Sequence, residues 1–259
     1  MSRVRAPSIA HSQRGFFVEV WQSALLGIVQ GITEFFPISS SAHLKLLRSL
    51  LGIEGNWLYF DLACHLGSWC ALVWWMRQEI SYVWTQWKQF FLALFPLVPA
   101  YLLFKYFGLS QVQNTGYFLI LTALLLFFGK NPWTFRLSPN RSSFFIGSLQ
   151  ALALLPGLSR SGLTMVGGRI CGKSWKEAAH FSFLLAIPTI FGGEVLESWK
   201  AVSHSEKIPW NLCAVGAVAS LFTGLLAIRL AFRVYEKGTL APFAWYCLAL
   251  GAWMIGTYG

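Results

Sequence analysis

The pattern of apolar and polar positions sorts the chain into eight blocks. Six are long apolar runs, at roughly 57–76, 90–107, 115–129, 178–198, 211–232 and 239–258. A helix needs about 20 mostly apolar residues to cross a bilayer, and each of these runs is read as a span. The second carries Pro96, Pro99 and Lys105, and the third is short. The other two blocks, 16–52 and 142–172, are interrupted by polar clusters. Each reads as a short helix, a Pro/Ser/Gly break and a second short helix, the pattern of a re-entrant hairpin. Non-helical backbone at membrane depth is tolerated only where protein or water covers it.

The two breaks resemble each other. One reads Phe36-Pro37-Ile38-Ser39-Ser40-Ser41-Ala42, the other Leu155-Pro156-Gly157-Leu158-Ser159-Arg160-Ser161-Gly162. Ser39 and Ser159 are 120 positions apart, as are Ser41 and Ser161, and Ala42 and Gly162. Each break is followed by three spans, so the chain divides into a first repeat over 16–130 and a second over 142–259, preceded by a basic extension over 1–15. Three spans between the hairpins make them enter from opposite faces. The expected fold is therefore all-α and polytopic, with about six transmembrane helices and two re-entrant hairpins in an inverted repeat, whose tips meet near mid-membrane. Such repeats with broken helices place a polar site at their interface.

Composition agrees. Of the 259 residues, 56% are hydrophobic and only 12% charged, against about 25% charged in a soluble domain. The net charge of +10 does not point to nucleic acid. The cations sit mostly in short links, such as Lys130, Arg136 and Arg141, where anionic lipid headgroups attract them. The links 77–89, 130–141 and 229–238 hold eight Lys and Arg. The N-terminus and the links near 105–114 and 199–210 hold six, including Lys105, Lys200 and Lys207. That margin puts both termini outside. The five cysteines form no CxxC pair and lack metal-site spacing.

The chemistry lies at the breaks. Gln30 and Glu34 are spaced i, i+4 and share a helix face. A glutamate inside an apolar stretch is costly and usually functional. Its carboxylate plus an amide oxygen suits a hard divalent cation, Mg²⁺ or Ca²⁺. Ser39, Ser40, Ser41 and His43 follow: an imidazole is a general acid or base near neutral pH, and a serine beside it an activated nucleophile. In the second break Arg160, flanked by Ser159 and Ser161 with Thr164 one turn on, reads as a phosphate cradle. Arginine grips phosphate oxygens bidentately, and the N–H groups of the following helix add positive potential. The set fits hydrolysis of a phosphoanhydride whose tail lies in lipid. His65, Glu194 and Glu197 fall in or beside spans, and Glu194 either lines a cavity or faces a link.

Gln30-Gly-Ile-Thr-Glu34-Phe-Phe-Pro-Ile-Ser-Ser-Ser-Ala-His43 and Pro156-Gly-Leu-Ser-Arg-Ser-Gly162 resemble the two signature motifs of bacterial undecaprenyl-diphosphate phosphatases, the bacitracin-resistance family. Phe181-Ser-Phe-Leu-Leu-Ala-Ile-Pro188 resembles that family's next segment. The resemblance covers roughly 17–258. It implies release of phosphate from undecaprenyl diphosphate, recycling a lipid carrier for cell-wall synthesis, with a divalent-cation requirement. It also implies a multi-pass protein of the bacterial inner membrane whose active site opens to the outer, periplasmic face. Carried over by position, Glu34 is the acidic metal or base residue, Ser40 the candidate nucleophile beside Ser39, His43 the essential histidine and Arg160 the phosphate ligand. Ser159 and Thr164 supply supporting hydroxyls. Gln30 stands where the family has Glu or Gln, which removes one charge from a two-carboxylate metal site. The competing class is a transporter or lipid flippase, since inverted repeats with broken helices are transporter architecture. The other large membrane class of lipid phosphatases needs a histidine after Ser-Arg where this chain has Val166. A His-Glu-x-x-His zinc motif is missing from the sequence.

Overall fold

The structure is a computed structural model that describes residues 19–53, 55, 57–108, 115–201 and 209–258. The basic extension 1–15 and Lys207 lie outside the described residues. Among the described residues there are twelve helices and no strand. The first hairpin is α1 (Val20–Thr33) and α2 (Ser40–Leu50). Then come α3 (Leu58–Trp75), α4 (Ile80–Thr85), α5 (Trp87–Leu94), α6 (Leu97–Tyr106) and α7 (Thr115–Phe128). The second hairpin is α8 (Pro139–Leu152) and α9 (Arg160–Ile170), followed by α10 (Trp175–Ala201), α11 (Trp210–Glu236) and α12 (Ala241–Tyr258).

Three helices are long and apolar enough to cross a bilayer unaided: Trp87–Tyr106, Trp175–Trp199 and Trp210–Glu236. Helices α3 and α12 have 18 residues each, about 27 Å at 1.5 Å per residue, close to the hydrocarbon thickness of about 30 Å. The span expected at 90–107 is broken between α5 and α6 at Phe95–Pro96, where the proline removes a backbone donor. The preceding link is also helical in part, since it contains α4. Lipid-facing apolar side chains ring the molecule. Trp84, Trp133, Trp199 and Trp210 are all largely exposed, as expected of aromatic residues near the interfaces.

The two halves trade partners. Helix α1 packs on α11, the second span of the other half, and α8 packs on α5 and α6. Helix α3 meets α10, and α7 meets α12. Small residues allow the close approaches. On α1, Ser23, Gly27 and Gly31 face Gly216, Ser220 and Gly224 of α11. This is the small-xxx-small packing of membrane helices, where van der Waals contact rather than water release drives association. A Cβ built on Gly27 would lie 2.3 Å from the Gly216 carbonyl oxygen. Gly147, 120 positions later, has the same constraint: its Cβ would lie 2.1 Å from the Ala93 carbonyl oxygen. Both breaks therefore sit on helices pinned to the opposite half through backbone contact.

Gly27→Ala and Gly147→Ala are each expected to lower unfolding stability in detergent by about 1–3 kcal/mol, the range for overpacking a tight contact. Gly192, whose Cβ would meet nothing within 4 Å, is expected to tolerate alanine. Equal thermal midpoints for all three variants would show that these contacts are looser than described. For topology, cysteine at 57 and at 141, in a background lacking Cys64, Cys70, Cys171, Cys213 and Cys247, is expected to react with an impermeant reagent at only one position in sealed cells.

Candidate active site

The first tip runs from Glu34, the C-cap of α1, to Ser39, the N-cap of α2. Pro37 forbids continuation of α1. Ser39 has φ +65°, the one non-glycine residue in the left-handed region among the described residues, and such strain is held only where surrounding contacts over-determine it. Three of those contacts come from distant helices and one from α2 itself. The Tyr235 hydroxyl donates to the Phe35 carbonyl at 2.8 Å and the Ser161 hydroxyl to the Phe36 carbonyl at 3.1 Å. The Cys247 thiol donates to the Pro37 carbonyl at 3.7 Å, and His43 Nδ1 donates to the Ser39 carbonyl at 2.8 Å. The carbonyls a membrane would leave orphaned are thus satisfied by protein.

The second tip ends at Ser159, whose Oγ accepts from Gly162 N–H at 3.2 Å and caps α9. Its backbone N–H donates to Thr122 Oγ1 at 3.2 Å. The tips carry matching hydroxyl pairs: Ser39 Oγ lies 3.2 Å from Ser41 Oγ, and Ser159 Oγ lies 3.2 Å from Ser161 Oγ.

The two tips join at one ion pair. Arg160 Nη2 donates to Glu34 Oε1 at 2.5 Å, with the side chains 17% and 9% exposed. The other Glu34 oxygen, Oε2, accepts from Ser40 Oγ at 2.8 Å and Gln30 Nε2 at 2.9 Å. Arg160 Nη1 and Gln30 Oε1 are buried and have no hydrogen-bond partner. Helices α2 and α9 both begin at this junction, so two helix N-termini direct positive potential into it.

Of the residues singled out by sequence, Gln30, Glu34, Ser40 and Arg160 form one connected cluster. His43 does not join it through Ser40. Its Nδ1 is held by Ser39 and its Nε2 accepts from the Tyr246 hydroxyl at 2.7 Å, so the group hydrogen-bonded to Ser40 is Glu34 rather than the expected histidine. Ser159, Ser161 and Thr164, expected to line a phosphate site, are buried. Ser159 caps α9, Ser161 bridges the tips, and Thr164 Oγ1 lies 2.6 Å from Ser182 Oγ, joining α9 to α10. Ser41 is exposed beside Ser40.

Sequence reading passed over one group and one pairing. Tyr246, in the last span, carries no local signal for its contact with His43. His65 pairs with Glu194 across 3.2 Å. An ionisable side chain within a predicted span was the signal that flagged both residues, but not their pairing.

This fold and site define a multi-pass membrane protein with a charged, hydroxyl-rich centre built from two re-entrant tips. Comparison with known proteins narrows the class. The family model for the bacitracin resistance protein BacA matches residues 23–253, and the chain belongs to that family. It is 35% identical to the undecaprenyl-diphosphatase of Protochlamydia amoebophila, over 90% of this chain and 96% of that protein. It is also 35% identical to undecaprenyl-diphosphatase 2 of Stutzerimonas stutzeri, over 91% and 97%, and 34% identical to the undecaprenyl-diphosphatase of Persephonella marina, over 89% and 95%.

Removing the Tyr246 hydroxyl leaves His43 Nε2 without a partner. Tyr246→Phe is expected to lower unfolding stability by about 1–3 kcal/mol, the penalty for a buried unsatisfied polar group. An unchanged unfolding curve in detergent would argue against this hydrogen bond.

Proposed function

We propose that the protein hydrolyses undecaprenyl diphosphate to undecaprenyl phosphate and inorganic phosphate. This would recycle the lipid carrier for cell-wall synthesis and confer bacitracin resistance. We place it in the bacterial inner membrane, with the site open to the periplasmic face and each repeat, 16–130 and 142–259, contributing one tip. The observation that carries the reading is the Glu34 carboxylate bound by Arg160 on one oxygen and by the Ser40 hydroxyl on the other. A nucleophile, a proton acceptor and a phosphate ligand then share one atom group. The relatives' names supply the substrate.

In this mechanism Arg160 keeps Nη2 on Glu34 and offers its unpartnered Nη1 to the terminal phosphate. The N–H groups that open α2 and α9 stabilise the added charge. Ser40 Oγ attacks the terminal phosphorus and its proton passes to Glu34 Oε2. The P–O bond to the bridging oxygen breaks, and undecaprenyl phosphate leaves with the electron pair. Water then cleaves the phosphoserine and releases phosphate. His43 holds the first turn of α2 through the Ser39 carbonyl. If His43 instead activated water directly, no covalent species would form.

A divalent cation, Mg²⁺ or Ca²⁺, fits in a limited way. Among the described residues no group of three or more His, Cys, Asp or Glu can hold a metal, so an all-protein cage is not available there. Gln30 Oε1, buried and unpartnered, and Glu34 offer two hard oxygens on one helix face. That suits Mg²⁺, which commonly takes one or two protein ligands and completes its shell with water and substrate phosphates. When bound it would neutralise phosphate charge.

Three measurements test the reading. Purified wild-type protein in detergent is expected to release inorganic phosphate from undecaprenyl diphosphate, whereas a flippase would release none. Arg160→Lys is expected to lose at least about a hundredfold in kcat/KM, because lysine cannot serve Glu34 and phosphate with one planar fork. Near-normal turnover in that variant would remove the clamp assignment. Rapid quench with labelled substrate, followed by mass analysis of the 37–48 peptide, is expected to find phosphate on Ser40. Its repeated absence in an active sample would favour attack by water.

A further inference from the structure

Helix α3 packs on α1, which carries Gln30 and Glu34, and α10 packs on α9, which begins at Arg160. Helices α3 and α10 also pack on each other. Between them, His65 Nδ1 meets Glu194 Oε1 at 3.2 Å, with side chains 32% and 16% exposed. His65 lies near the middle of α3, and so near mid-depth of a membrane span. An ionisable pair left partly open at that depth cannot be covered by hydrocarbon without a large desolvation penalty. Its open side therefore faces water or a polar ligand. Because α3 and α10 pack on the helices that lead to Glu34 and Arg160, that opening lies beside the ion pair between the tips.

One turn along, the lining changes. Trp69 follows His65 by four residues on α3, and Phe191 precedes Glu194 by three on α10. Their ring centroids are 5.6 Å apart, and the Trp69 indole N–H donates to the Ile187 carbonyl at 2.9 Å, fixing the ring. Phe191 is 55% exposed. The α3–α10 seam therefore presents a polar layer against the reaction centre and an aromatic layer beside it that opens outward. This is the polarity of a molecule with a phosphate at one end and an isoprenoid chain at the other.

We propose that His65, oriented by Glu194, binds the phosphate that remains on the polyprenyl chain, while Trp69 and Phe191 line the path of the chain's first isoprene units. The assignment rests on the diphosphate-hydrolase reading above and adds a second phosphate subsite to it. In the imidazolium form both ring nitrogens donate: Nδ1–H to Glu194 and Nε2–H to a phosphate oxygen. Glu194 is a positioning residue, since it acts through His65. Arg160 holds the terminal phosphate and His65 the internal one, so the bridging P–O bond lies between two cationic donors.

The test separates the two subsites by product inhibition. Wild type, His65→Ala and Glu194→Gln are assayed in detergent with farnesyl diphosphate, and inhibition by farnesyl monophosphate and by inorganic phosphate is measured separately. His65→Ala is expected to raise KM and the inhibition constant for farnesyl monophosphate about tenfold or more, as for loss of a charge-assisted hydrogen bond, with the constant for inorganic phosphate unchanged. Glu194→Gln is expected to shift the same two quantities by less. If the two inhibition constants move together, or neither moves, or kcat falls at constant KM, the proposal is overturned while the hydrolase reading stands. If wild type releases no phosphate, that reading fails and takes this one with it. Should His65→Ala not fold, His65→Gln retains a hydrogen-bonding group for Glu194, and the same ratio of inhibition constants decides.

Discussion

The Glu34–Arg160 ion pair is the constraint on which the rest of the structure depends. It is the contact at which a carboxylate from one tip meets a guanidinium from the other, inside a molecule whose outside is lipid-facing. Desolvating two charges is unfavourable unless their geometry is good and their remaining valences are filled. Here the Ser40 hydroxyl and the Gln30 amide fill the second carboxylate oxygen. Removing either charge alone would leave the other buried and unpaired, a penalty of about 3–5 kcal/mol. The pair therefore ties the two halves together as well as furnishing the reaction centre.

Holding the tips at that depth sets a second requirement, that the backbone of a non-helical turn be satisfied without water. The carbonyls of Phe35, Phe36, Pro37 and Ser39 each accept from a side chain, three of them from residues more than 100 positions away. Those donors arrive because Gly27 and Gly147 let α1 and α8 lie against backbone of the opposite half. Phe35 and Phe183 then close the apolar core beneath the tips, ring edge to ring face at 5.7 Å. Packing of small residues, capture of carbonyls and the central ion pair form one chain of dependence. A substitution that separates α1 from α11 disturbs the chemistry without touching it.

The site's two poles differ in what they leave open. Glu34 has a partner on each oxygen, whereas Arg160 Nη1 and Gln30 Oε1 have none. A donor and an acceptor held ready in a dry setting are preorganised for charge that arrives with a ligand. The serines that flank Arg160 engage their hydroxyls in capping α9 and bridging the tips.

The sequence by itself determined what depends on local spacing. Apolar runs separated by Pro/Ser/Gly breaks marked the spans and the hairpins, because membrane thickness dictates helix length. The 120-residue recurrence of Ser39 with Ser159 and Ser41 with Ser161 corresponds to the matching hydroxyl pairs that the two tips carry. The i, i+4 spacing put Gln30 and Glu34 on one face, and they are hydrogen-bonded there. Tertiary structure alone decided the rest. Glu34 and Arg160 are 126 positions apart, His65 and Glu194 129, and His43 and Tyr246 203. Ser40 is only six residues from Glu34, yet its bond to that carboxylate depends on the left-handed turn at Ser39. Spacing reports which residues share a helix face. Which faces are pressed together depends on how closely the helices can pack, and so on contacts between residues far apart in the chain.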